Sequence, residues 1–103
     1  MIDSKRWSQF SFAQQIGHIG SEISRARHWE KENETANKDS ALIRALELIN
    51  LTIEDKKKQG GVKEIARLRE LVCDQLIQTQ EYNITLKELQ TYCETFYLSH
   101  LQS

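Results

Sequence analysis

His18 and Glu22, and again His28 and Glu32, stand four residues apart, so on a helix each pair places a ring nitrogen and a carboxylate on one face, a turn apart. That is at most half of a metal centre. A di-iron carboxylate bundle needs Glu-x-x-His on two helices, and no such spacing occurs; surface hydrogen bonding is the expected role of either pair. Cys93 and His100 share a helical stripe, but seven residues of helix set their Cα atoms about 10 Å apart, too far for easy convergence on one zinc. The chain contains no G-x-x-x-x-G-K-[ST] phosphate loop, no G-x-S-x-G elbow and no H-E-x-x-H helix. Neither cysteine stands beside a base, and buried reduced thiols are the expectation for both Cys73 and Cys93. No catalytic residue, metal or cofactor is expected.

Binding chemistry offers more. The stretch "GHIGSEISRAR", Gly17 to Arg27, reads as helix yet carries two glycines three residues apart, each costing about 1 kcal/mol against alanine in a helix interior. With Ala13 and Ser24, Gly17 and Gly20 form a strip of small residues along one flank of an apolar stripe. Close approach of another helix backbone, from the same chain or a second copy, is the simpler explanation; a small ligand in a shallow groove is the sharper one. The opposite flank carries Glu22 and Arg25, an i,i+3 ion pair worth about 0.2–0.5 kcal/mol when solvated. Arg69 falls on its helical wheel between Ile65, Val72 and Leu76, whereas Arg67 and Asp74 point away. An arginine there must extend its head to water or meet a carboxylate, Glu22 or Glu47 being the candidates, unless it holds a ligand anion. Trp29 lies off the centre of its stripe, so it either covers the side of the fold or stays open to a partner.

Four helical segments must position these groups. Ser11-Phe-Ala-Gln14 is a capping box, and Phe12, Ile16, Ile19, Ile23 and Ala26 follow on one stripe, so the first helix spans about 12–32. A break near Asn33 leads to a second helix over about 35–54, with Leu42, Ala45, Leu46, Ile49 and Ile53 on its stripe and Ile43 and Leu48 on the flanks. "DKKKQGG" ends it, lysines favouring the helix C-terminus and Gly60-Gly61 a chain reversal. The third helix covers about 62–79. After "QEYN", Thr85 and Glu88 form a second capping box, with Ile84 set to meet Leu89, and the fourth helix runs over about 86–100. Each helix is about 25–32 Å long, and short connections make sequential helices antiparallel. The expected fold is all-α, a single-domain up-down antiparallel four-helix bundle.

Bulk properties agree with that class. The 103 residues include no proline and four glycines, with 39% hydrophobic and 28% charged residues and a formal net charge of -1, the composition of one folded domain. Lys56, Lys57 and Lys58 are the one basic run, better read as a solvated helix end than as a nucleic-acid footprint. The arginine and histidine of HEPN-type helical ribonucleases, four to six residues apart, are missing before His18, His28 and His100. No apolar run reaches the roughly 18 residues of a membrane span or forms a secretion signal, so a cytoplasmic location is expected.

"WSQFSFAQQIGHIGSEISRA", "RALELINLTI" and "EIARLRELVCD" together resemble the pattern of a family of small helical proteins of bacteria and archaea that has no assigned activity. The resemblance covers most of the chain, implies an all-helical bundle, and singles out Gly17, Gly20, Glu22, Arg25, Arg44, Glu47, Arg69 and Glu70 as matching positions. It implies no mechanism. The leading expectation is a non-enzymatic module for protein association, a homodimer or a complex with another protein, with Gly17, Gly20, Glu22, Arg25, Trp29 and Arg69 as candidate interface residues. The alternative is a small-anion or nucleotide-binding protein that uses Arg25 and Arg69 beside the glycine strip.

Overall fold

The computed structural model describes residues 3–56, 62–77 and 84–101. Among these residues it is all-helical: α1 (Ser4–Trp7), α2 (Phe12–Lys31), α3 (Thr35–Lys56), α4 (Val62–Ile77) and α5 (Leu86–Ser99). Five helices therefore stand where periodicity predicts four. The addition is α1, a single turn capped by the Asp3 carboxylate, which accepts from the Arg6 N–H at 2.8 Å. So short a helix displays no period, and it matters for what it delivers. Trp7 is buried at its end, edge-on to Phe10 and donating its indole N–H to Thr52 Oγ1 on α3 at 3.0 Å.

Both expected capping boxes form. Ser11 Oγ accepts from Gln14 N–H at 3.1 Å while Gln14 Oε1 accepts from Ser11 N–H at 2.8 Å, and Thr85 and Glu88 repeat the exchange at 3.1 Å each way. The break after α2 falls at Asn33, whose φ of 58° is the left-handed conformation that asparagine tolerates. Asn33 N–H donates to Glu30 O and Glu34 N–H to Trp29 O, at 3.2 and 2.9 Å, the Schellman arrangement that satisfies the last carbonyls of a helix. The lysine run beyond Lys56, the Gly60-Gly61 turn and the "QEYN" loop lie outside the described residues.

Cross-helix contacts fix direction. Gln15 bonds Asp55, Glu22 meets Arg44 and Glu30 meets Lys38, so α2 and α3 are antiparallel. Arg27 bonds Gln90, Cys93 reaches the Ile16 carbonyl, and Phe12 packs edge-on against Phe96 at 5.7 Å, so α2 and α5 are antiparallel as well. α4 packs on α3 and touches α5, and Gln75 Nε2 donates to the carbonyl of Ile84, just before α5. Tyr92 of α5 also feels α4: burial raises its pKa, with the charges of Arg67 and Glu64 acting in opposite senses.

Between these helices lies one apolar cluster, with Ile16, Ile19, Ile23, Leu42, Ala45, Ile49, Ile65, Leu68, Val72, Leu86 and Leu89 all buried. α4 is rotated from the expected wheel. Its buried face includes Leu71, and Arg69 is exposed, donating Nε–H to Asn50 Oδ1 at 2.8 Å. In the sequence pattern Val62 and Leu76 pull the centre of the apolar stripe toward Arg69; the buried positions Ile65, Leu68, Leu71 and Val72 centre about 90° from Arg69 at 100° per residue. Asp74, expected to point outward, is buried. Ile43, on the flank of α3, remains 47% exposed.

Candidate functional site

The glycine strip lies against α5. A Cβ on Gly17 would sit 3.4 Å from Tyr97 Cε2, and one on Gly20 would sit 3.4 Å from Cys93 Sγ. Those neighbours are side chains, and 3.4 Å is the edge of ordinary van der Waals contact, so alanine fits at both positions. The expectation of a backbone pressed against the strip is thereby corrected within this chain: packing here does not require glycine. Beside the strip lies an open groove of about 350 Å³ between α2 and α5. Ile16, Gly17, Gly20 and Ser21 form its α2 wall, and Gln90, Cys93, Glu94 and Tyr97 its α5 wall.

One end of the groove is marked by Arg27, whose Nη1 donates to Gln90 Oε1 at 2.9 Å. Toward the other end, α5 runs on past Tyr97 to Leu98 and ends at Ser99, with Leu101 two residues beyond. These two leucines are 63% and 50% exposed. Cys93 at the floor is inert: burial, reinforced by Glu94, pushes its thiol up to about 12, and its Sγ lies 3.7 Å from the Ile16 carbonyl. A thiolate is the reactive form of cysteine, so at neutral pH this side chain is a small apolar filler.

The charged candidates occupy another face. Glu22 is buried and accepts from two arginines, Arg25 Nη1 on Oε2 at 3.0 Å and Arg44 Nε on Oε1 at 3.2 Å. Arg69, for which Glu22 or Glu47 was the expected partner, is held by Asn50 instead. Arg25 and Arg69 thus answer to different groups, and neither lines the groove beside Gly17 and Gly20. The lining of that groove holds the carboxylate of Glu94 and no cation, and Arg27 at its end is bonded to Gln90, the reverse of what an anion ligand at the strip requires. Trp29 is half-buried, with the His28 ring edge-on at 4.9 Å, so its indole is partly available at the surface.

The histidines serve as ring-packing groups. His18 stacks against Phe10 at 4.8 Å and Trp7 at 5.6 Å; His100 lies between Phe12 and Phe96 and bonds the Phe96 carbonyl at 3.0 Å. Among the described residues no group of three or more His, Cys, Asp or Glu could hold a metal ion, and no helix is long and apolar enough to cross a membrane. Sequence reasoning passed over Arg44 as a partner of Glu22, and Gln90, Glu94 and Tyr97 as groove residues. A repeat of Gln90, Glu94, Tyr97 and Leu101 at helical spacing was the available signal.

Comparison of the chain with protein-family models, with curated proteins and with solved structures finds no match.

Proposed function

We propose that this chain is a non-catalytic helical module that pairs with a second copy of itself through the α2–α5 face. The carrying observation is that Gly17 and Gly20, each disfavoured in a helix by about 1 kcal/mol against alanine, line an open groove between α2 and α5 where packing within the chain does not require glycine. Leu98, near the C-terminal end of α5, and Leu101, just past that end, stand exposed. A surface that bears both a groove and protruding leucines is self-complementary under a two-fold axis, each copy placing its leucines in the other's groove. Burial of a leucine relative to leaving it exposed is worth about 1.5–3 kcal/mol, and two such side chains per copy form the apolar centre of an interface. In this reading the four long helices constitute an up-down antiparallel four-helix bundle, with α1 closing one end. The protein then belongs in the cytoplasm, among the small bacterial and archaeal helical proteins that its sequence resembles.

Disulfide trapping tests the pairing. Chains carrying Ser21→Cys and chains carrying Leu98→Cys, both in a Cys73→Ser background, are mixed in a glutathione redox buffer. Mixed disulfides are expected to exceed either like-with-like product, since the proposed axis brings groove to leucine. Like-with-like products alone, or no covalent dimer at tens of micromolar, would contradict it.

A further inference from the structure

We propose that Arg25 and Arg44, held side by side on Glu22, form a binding site for a small oxyanion, a phosphate or a carboxylate. The site lies on the α2–α3 side of the fold and is independent of the α2–α5 pairing face. Its core is unusual in its accounting of charge. The Glu22 side chain is only 10% exposed, while those of Arg25 and Arg44 are 60% and 47% exposed. One carboxylate stands between two guanidinium groups, so the trio carries a net positive charge.

Stability alone is a poor reason for such a construction. Ion pairs with solvated partners are worth about 0–1 kcal/mol, and apolar residues of similar volume often replace a buried pair without loss. What the buried carboxylate does achieve is positional. It takes one N–H from each arginine, at 3.0 and 3.2 Å on its two different oxygens, and thereby holds together guanidinium planes that come from two separate helices. A guanidinium has five N–H donors in a rigid fork. Among the described residues each of these gives one to Glu22, and both side chains are about half exposed. Paired forks of this kind match the oxygens of phosphate and carboxylate, where lysine would act only as a point charge. Nearby charges bear on the field. Lys38 and Glu30 offset each other at 4.0 Å, and Glu47 follows Arg44 by three residues on α3.

The test is a titration at low ionic strength of the full chain, observing arginine Nε–H signals by nitrogen-15 NMR, with inorganic phosphate in one arm and N-acetylglutamate in the other. Saturating shifts centred on Arg25 and Arg44 are expected in at least one arm, and the arm that saturates names the ligand chemistry. Arg25→Gln and Arg44→Gln, in chains whose circular dichroism shows the fold retained, should each weaken half-saturation by about tenfold, the loss of one charge-assisted contact. Arg69→Gln should leave it unchanged. Shifts that stay linear in both arms, that survive both substitutions, or that are lost equally in Arg69→Gln would overturn the assignment. Dimer formation is read separately by sedimentation, so failure of either proposal leaves the other standing.

Discussion

Trp7→Ala is expected to cost about 3–5 kcal/mol, the range for emptying a buried aromatic site, out of the roughly 5–15 kcal/mol that holds a domain together. The effect is large because Trp7 is 1% exposed and joins three elements. Its indole N–H bonds Thr52 on α3, its ring supports Phe10 and His18, and its carbonyl accepts from Gln15 Nε2 on α2 at 2.9 Å. Urea unfolding followed by circular dichroism measures the loss. Trp7→Phe should retain most of the packing and forfeit chiefly the bond to Thr52, about 1 kcal/mol. A Trp7→Ala cost below that of Trp7→Phe would mean that α1 and the residues after it do not seal the core.

The second large effect is alkaline. An ordinary thiol ionises near 9.0, whereas burial with a contribution from Glu94 raises Cys93 to about 12. Below pH 9.0 both folded and unfolded chains keep the proton, and the stabilisation is fully present. Between 9.0 and 12 the unfolded chain has released a proton that the folded chain retains, so stability falls as pH rises, by about 1.4 kcal/mol per unit. Urea unfolding in steps from about pH 8 to about 10.5 should show this decline beyond that of Cys93→Ala, which lacks the group. Parallel curves for the two proteins would show that the thiol is hydrated in the folded state.

Local signals in the chain were legible where the physics is local. The capping boxes at Ser11 and Thr85 involve residues three apart, and both form as expected. The helix end at Asn33 needs only a residue that tolerates positive φ. The rotation of α4 was not legible, because Val62 and Leu76 shift the apparent stripe while Leu71 packs inward through tertiary contact. The partner of Glu22 was read half correctly. Arg25 is on the same helix and could be placed by spacing, whereas Arg44 depends on the register between α2 and α3, which no single helix encodes. The glycine strip was visible as a strip, but its neighbours Tyr97 and Cys93 become evident only when α5 is laid against it. α1 escaped notice for a different reason: a four-residue turn offers its Asp3 cap and no period.

Self-pairing through the α2–α5 face is the central claim, and sedimentation equilibrium tests it most directly. At tens of micromolar the wild-type chain should sediment at twice its 12.1 kDa mass, while a chain carrying Leu98→Lys and Leu101→Lys should sediment at the single-chain mass with its helical content intact. A wild-type protein that remains at 12.1 kDa across that range would contradict the account.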